Sequence, residues 1–500
     1  VTSIETARVH LPGVDPDTND LINGLLGDLR KRQPRNYLRA CYYDGRRAVR
    51  KFGSGVIPPE YFKLGLALGW AAKSVDILAR RCNLDGYTWT DGDLDSLGYQ
   101  EVWDTNFFGS QSSSAVISSL IHGPSFLINT TGAEDSDEPD SLIHVADAMN
   151  ATGELSSRTH RLDNLLRVLK RDENRNPLSL VLYRYGATLT ASRTTAGHKW
   201  STNWNEHPWG VPAEAVVYHP RVGREYGASR ISRVVMALQD RALRSMIRME
   251  GHADIFSYPE LWMLGANPGD VLVDEAGNPL PMWQAVMGRI KGIDDNYDDK
   301  ALDDQGRPNR AEVKQFQQSS PAPHIDLFTQ CAMDFAGETD LPVSALGVQA
   351  RTNTTTADGS DNAEKQLIAE AEGATDDWSP AFRRCMIRAL AIKNDLDEIP
   401  KEYASIATKW RPPAYLSRSA VADAGLKQLS AAPWLAETDV GLELIGLTDQ
   451  QIARAMVQKA GAQTKTLIDK LTAAPGATVP DPAEGTAAAA AAALGSATGA

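Results

Sequence analysis

Five hundred residues with 42% hydrophobic and 23% charged content describe a folded chain too long for one compact core, which excludes a mostly disordered protein and predicts two to four structural regions. The formal net charge of −13 argues against tight non-specific DNA binding, which needs a basic footprint, and no apolar run approaches the length of a membrane span. Val1 to Pro12 lacks the basic-then-apolar pattern of a signal peptide, and Cys41, Cys82, Cys331 and Cys385 are scattered without a C-x-x-C pair, so buried free thiols in a reducing compartment are expected.

Within residues 7–43, Leu21, Ile22, Leu25, Leu26 and Leu29 recur at helical spacing and predict surface helices. After a Gly53-Ser54-Gly55 loop, Ile57-Pro58-Pro59-Glu60-Tyr61 opens an apolar helix through Leu64, Leu68, Ala71, Val75 and Leu78. Proline suits its first turn and Arg80-Arg81 its end. A helix over 97–107 precedes the apolar run 115–121, which stops at His122-Gly123-Pro124. Residues 125–130 then read as a strand, 132–140 as an acidic hairpin tip and 142–145 as the returning strand, with further strands at 178–185 and 215–218. The fold class of this part is α+β, helices first and a twisted antiparallel sheet afterwards.

From Ser229 the character changes. Ile231, Val234, Val235, Leu238, Leu243, Met246 and Ile247 sustain a helix of about six turns. A short, turn-rich, acidic stretch follows, with Asp294, Asp295, Asp298, Asp299, Asp303 and Asp304 clustered in it. Ile325, Phe328, Ala332 and Phe335 mark a second apolar helix, and a polar stretch, 351–361, leads to a long helix over 363–392. Gly373 and Pro380 are expected to bend that helix. Helices resume over 417–471, and the Ala/Gly/Pro-rich end reads as disordered.

Chemistry-bearing motifs are scarce. The sequence has no G-x-x-x-x-G-K-[ST], G-x-S-x-G or H-E-x-x-H, and no Cys/His cluster, so no catalytic residue, cofactor or metal site is expected. The Asp-rich loop lacks the Gly and Glu positions of an EF-hand, and a solvated acidic loop is the better reading. The rival enzymatic reading is a metal-dependent hydrolase or nucleotidyltransferase using scattered carboxylates such as Asp294, Asp298 and Asp303.

Three phrases carry a family resemblance. They are Leu78-Ala79-Arg80-Arg81-Cys82-Asn83-Leu84-Asp85-Gly86-Tyr87 at a helix end, the helix–Gly–strand step Ile121-His122-Gly123-Pro124-Ser125-Phe126-Leu127, and His219-Pro220 through Tyr226-Gly227-Ala228-Ser229-Arg230-Ile231 leading into a helix. In order and spacing they resemble the portal family of long-tailed (siphovirus-type) bacteriophages, the head–tail connector proteins. The resemblance covers most of residues 40–395. It implies a non-enzymatic virion protein with a wing at 1–228, a first stem helix at 229–252, a clip at 253–321, a second stem helix at 322–347, a tunnel loop at 348–362, a long kinked helix and wing return at 363–412, a helical crown at 413–475 and a disordered tail at 476–500. It further implies a homo-oligomeric ring of twelve subunits at one capsid vertex, assembled in the host bacterial cytoplasm. Its partners would be the major capsid protein, the terminase motor, head–tail adaptor proteins and double-stranded DNA passing without sequence specificity. Another virion structural component, such as a minor capsid protein, is the nearest alternative.

On this resemblance the tunnel loop comprises Arg351, Asn353, Thr354, Thr355, Thr356, Asp358, Gly359, Ser360, Asp361 and Asn362. Its hydroxyls and amides would meet phosphate without a fixed ion pair. An ordinary surface loop, or a helix start capped by Asp361, is the alternative. The clip acids Asp294, Asp295, Asp298 and Asp299 would dock a partner. Arg230, Arg233, Arg241, Arg244 and Arg248 recur at three- to four-residue steps, which places them on one helix face. Such a face is either simply solvated, or meets a neighbouring subunit's acids, the capsid opening or passing phosphate.

Overall fold

In the computed structural model, which describes residues 8–46, 67–133, 136–195, 199–256, 261–264, 312–315, 320–348, 357–414 and 418–472, helix α1 (Pro16–Tyr43) starts at an Asp15 cap. The Asp15 carboxylate accepts the Thr18 N–H at 2.8 Å, and a proline occupies the first turn, where no backbone donor is needed. The predicted stripe closes one face: Ile22, Leu25, Leu26 and Leu29 are buried against Leu166, Val168, Leu180, Leu182 and Leu189. The expected surface helices are therefore a single helix laid on a sheet.

That sheet is an antiparallel meander of β4 (Ala151–Leu155), β5 (Leu162–Arg171), β6 (Pro177–Arg184), β7 (Ala187–Ser192) and β8 (Ser201–Glu206). A second sheet has β2 (Pro124–Thr131) between β3 (Ser141–Asp147) and β9 (Ala213–Val217), both antiparallel to it. Alternation along β2 makes it the middle of a sandwich. Phe126 and Ile128 pack on Leu165, Val181 and Tyr183 of the larger sheet, while Leu127 faces the helices beyond. Two sheets thus stand where one was expected. Strand β5 carries no local signal in the sequence, because Leu165 and Leu166 are both buried, on opposite faces, which hides any alternation.

Helices α2 (Trp70–Ala79), α3 (Tyr99–Thr105) and α4 (Phe108–His122) cover the small sheet together with α7 (Ala357–Lys393). Helix α2 is shorter than expected: it begins after Gly69, leaving Leu68 outside, and the proline-rich opening 57–61 lies outside the described residues. Strand β1 (Leu84–Trp89) pairs antiparallel with the distant β12 (Ile406–Trp410). Helix α7 runs unbroken through Gly373 and Pro380 and starts at Ala357, six residues before the expected 363. Its Trp378, Phe382, Cys385 and Met386 are fully buried, and Arg384 and Arg388 clamp Glu214 of β9 at 2.8 and 2.7 Å. Burial pushes the Cys82 and Cys385 thiols up to about 12, which leaves them inert.

Helices α5 (Arg233–Phe256) and α6 (Ala322–Thr339) pack on this body, and an antiparallel ladder joins β10 (Leu261–Leu264) to β11 (Glu312–Gln315). A separate unit, residues 414–500, is helical where described, with α8 (Arg418–Ala431), α9 (Asp439–Leu444) and α10 (Asp449–Thr472). This agrees with helices expected over 417–471. The tail at 476–500 lies outside the described residues.

Candidate functional site

Helices α5 and α6 run antiparallel, since Arg241 meets Asp334 while His252, later in α5, meets His324, earlier in α6. Their shared seam buries Val235 and Ala242 with Cys331, Ala332 and Phe335, and Ile247 is buried further along α5. Because the ladder β10–β11 lies between them in sequence, the pair brackets the insert at both its ends. Val234, Ile325 and Met333 remain exposed on the pair at 50%, 44% and 38%.

The arginine face is only partly as expected. Arg233, Arg241, Arg244 and Arg248 fall within one arc of α5 by the 3.6-residue period, with Arg233 and Arg248 exposed and Arg241 ion-paired to Asp334 at 2.7 Å. Arg230 is not among them. The helix starts at Arg233, where the Ser232 hydroxyl accepts the Val235 N–H at 3.1 Å, and Arg230 lies before it, buried at 8% exposure. Its guanidinium donates to the Ser74 carbonyl (2.7 Å), the Thr339 carbonyl (2.6 Å) and the Tyr218 hydroxyl (3.1 Å), and pairs with Glu370 at 3.4 Å. One side chain therefore ties α2, the end of α6, the end of the small sheet and α7 to the start of α5. Spacing missed this role, because nothing in it separates a buried arginine from a solvated one.

Two of the sequence phrases meet at this junction. Gly123 turns from α4 into β2 at φ +106°, and a Cβ there would stand 2.8 Å from the Tyr226 carbonyl oxygen. Gly227, at φ +60°, presses on the Tyr218 carbonyl, and the Ser229 hydroxyl donates to the Ile121 carbonyl at 2.6 Å. Both glycines are thus needed for close backbone approach at left-handed φ.

The Glu370 carboxylate also accepts from the Tyr218 hydroxyl and from His219 Nε2, the latter at 3.1 Å. Burial opposes its ionisation, yet the hydrogen bonds from His219 and Tyr218 and the charges of His219 and Arg230 prevail and hold it down to about 2. The same hydrogen bond raises His219 above its ordinary value. A lowered acid stabilises above its unfolded value of 4.5 and loses that contribution as pH falls toward 2. A raised histidine stabilises fully below 6.5 and loses its contribution as pH rises through the folded value. The stability difference between wild type and Glu370→Gln should therefore be largest between 4.5 and 6.5 and shrink on both sides, measured by thermal melts across pH. A pH-independent difference would refute the coupling.

The remaining expected site residues are placed only in part. Arg351, Asn353, Thr354, Thr355 and Thr356 lie outside the described residues, as do the clip acids Asp294, Asp295, Asp298 and Asp299. Asp358, Gly359, Ser360, Asp361 and Asn362 correct the expectation: they belong to the first turns of α7 and not to a loop, and Asp361 lies inside that helix and not before its start. The second stem helix also stops short of 347, at Thr339, where Asp340 takes φ +52° and a separate 3₁₀ turn, Val343–Leu346, follows. Among the described residues no group of three or more His, Cys, Asp or Glu side chains could hold a metal ion.

Comparison with known proteins adds the following. A family model described as phage portal protein, SPP1 Gp6-like, matches residues 27–464. The portal protein of Mycobacterium phage L5 is 25% identical over 396 residues, 77% of each chain, and that of Mycobacterium phage D29 is 25% identical over 394 residues, again 77% of each. Among solved structures, a chain from the neck of a native gene transfer agent particle computed with C12 symmetry matches at 14% identity and TM-score 0.39, covering 81% of this chain and 99% of that one. A chain from the neck of an empty particle of that kind, computed with C6 symmetry, matches at 12% identity and TM-score 0.42, covering 76% and 90%.

Proposed function

The chain belongs to the SPP1 Gp6-like family of phage portal proteins, and on that premise we propose that it assembles into a closed ring at one capsid vertex whose channel passes the genome during packaging, head–tail joining and ejection. The single observation that carries this reading is the family match across residues 27–464. The α5–α6 pair is the stem, the insert between them is the clip that docks the terminase motor and later the head–tail adaptors, and the four-layered body is the wing that meets the major capsid protein. Twelve subunits form the ring, in the virion and after assembly in the host cytoplasm. The protein acts as a structural component and not as an enzyme.

Two features of the subunit support these assignments. Val234, Ile325 and Met333, exposed on the helix pair, give a neighbouring subunit apolar surface to cover. Heterologous contacts that close by rotation give rings. The segment 349–356, which joins the body to α7, carries Thr354, Thr355 and Thr356, whose hydroxyls offer water-exchangeable hydrogen bonds to a moving phosphate chain.

The test is packaging with the Thr354→Lys, Thr355→Lys, Thr356→Lys variant. Native mass measurement should give a ring many times the 54.3 kDa subunit, and translocation should slow, more so at low salt, where the added attraction is less screened. A single species of subunit mass for the wild type would sink the ring. A wild-type translocation rate in the variant at every salt concentration would remove the segment from the DNA path.

A further inference from the structure

A cavity of about 540 Å³ opens in the body between the second half of α1 and residues 223–227. Arg32, Arg35 and Arg39 line it from α1 at steps of three and four residues, so they share one helix face, and Arg224 lines it from the opposite side. Four arginines thus converge against a single acid in the lining, Glu225. Such an arrangement is costly while empty, because like charges repel in a partly desolvated space.

The guanidiniums are incompletely used. Arg39 is buried at 6% exposure and donates from one terminal nitrogen to the His122 carbonyl at 2.8 Å, but its Nε–H has no acceptor among the described residues. His122, also in the lining and 8% exposed, has an Nδ1 without a partner among the described residues. Arg32 stacks over the Tyr226 ring at 4.8 Å, which holds its plane fixed at the wall. Arg35, whose charged neighbours are Arg32, Arg224 and Arg233, and Arg224, which is bonded through its backbone, show no ion pair or side-chain hydrogen bond among the described residues. Burial, with the charges of Arg35 and Arg224, pushes Arg39 down to about 10, and burial holds His122 neutral, down to about 4.

We propose that this cavity binds a phosphate group, carried either by a phosphorylated small molecule or by the backbone of DNA. Guanidinium forks match phosphate oxygens two at a time, and the buried Arg39 Nε–H supplies a donor that no described protein group satisfies. A dianion offsets the convergent positive charge more fully than a single carboxylate. The volume lies in the range of small-molecule pockets, roughly 300–1,000 Å³, so an ester or diphosphate larger than the bare ion fits. The apolar wall of Phe126, Ala148 and Ala151 leaves the arginines as the main polar groups facing a ligand.

The test is titration calorimetry of the full-length protein with pyrophosphate at low ionic strength. Saturable binding of one ligand per chain is expected, above the response to sodium chloride at matched ionic strength. The Arg35→Gln, Arg224→Gln variant should bind roughly tenfold or more weakly, since each charged hydrogen bond contributes substantially. Its thermal midpoint without phosphate should be unchanged or higher, because repulsion is relieved, and the single Arg224→Gln variant should fall between. A pyrophosphate response equal to that of chloride, or equal affinity in wild type and double variant, overturns the proposal. Short duplex DNA distinguishes the sources: displacement of bound pyrophosphate assigns the site to backbone phosphate, and binding undisturbed by duplex assigns it to a small phosphorylated ligand.

Discussion

Replacing Glu214 with alanine should destabilise the body by about 3–5 kcal/mol, the range for removing one partner of a buried ion pair. Glu214 is 4% exposed and accepts from Arg384 Nε at 2.8 Å and from Arg388 at 2.7 Å, and Arg388 is itself buried and bonded to the Asn129 carbonyl oxygen of its side chain at 3.0 Å. Without the carboxylate, Arg388 keeps its charge in a desolvated seam between α7 and the small sheet. Replacing both partners, Glu214→Leu with Arg388→Met, should recover much of the loss, because two apolar groups leave no orphaned charge. Chemical denaturation of the three variants reads both effects. A Glu214→Ala variant as stable as wild type would mean that the pair is not buried in the folded protein.

Arg230→Met should cost about as much, in the range of 3–5 kcal/mol, because charged hydrogen bonds to the Ser74 and Thr339 carbonyls and to Glu370 vanish together. Arg230→Lys should restore little. A compact ammonium cannot reach three acceptors lying in different directions around a planar fork. Since this side chain ties α2, α6 and α7 at the foot of α5, the variant should also loosen the angle between the α5–α6 pair and the body. Hydrogen exchange along α5 and α6 measures that loosening. Exchange unchanged in the variant would show that the helices are held by their apolar seam alone.

Elements whose signal is local were legible in the sequence. The stripe on α1 and the apolar faces of α5 and α6 show a helical period within their own residues, and β2 is marked by the Gly123-Pro124 step before it and the acidic stretch after it. The start of α5 carries a local sign as well, since Ser232 precedes the apolar run as an N-cap does. The start of α7 was not marked. Asp358, Gly359, Ser360 and Asn362 are poor helix formers, yet they continue a helix already nucleated over the following turns, where each added residue costs far less than a new nucleus.

The amino-acid sequence by itself determined the α+β class, the order of the main helices and of strands β2, β3, β6 and β9, and the phrases by which the family is recognised. Only the tertiary structure decided which charges are buried and with whom. Arg230 with Glu370 and Arg388 with Glu214 are partners separated by 140 and 174 residues, and the arginines around the cavity come from residues 32–39 and 224. No periodicity links such positions, because a charge buried at long range is chosen by the packing of layers and not by its neighbours along the chain. The same holds for β1 and β12, which pair across more than three hundred residues and have too little apolar alternation of their own to announce a strand.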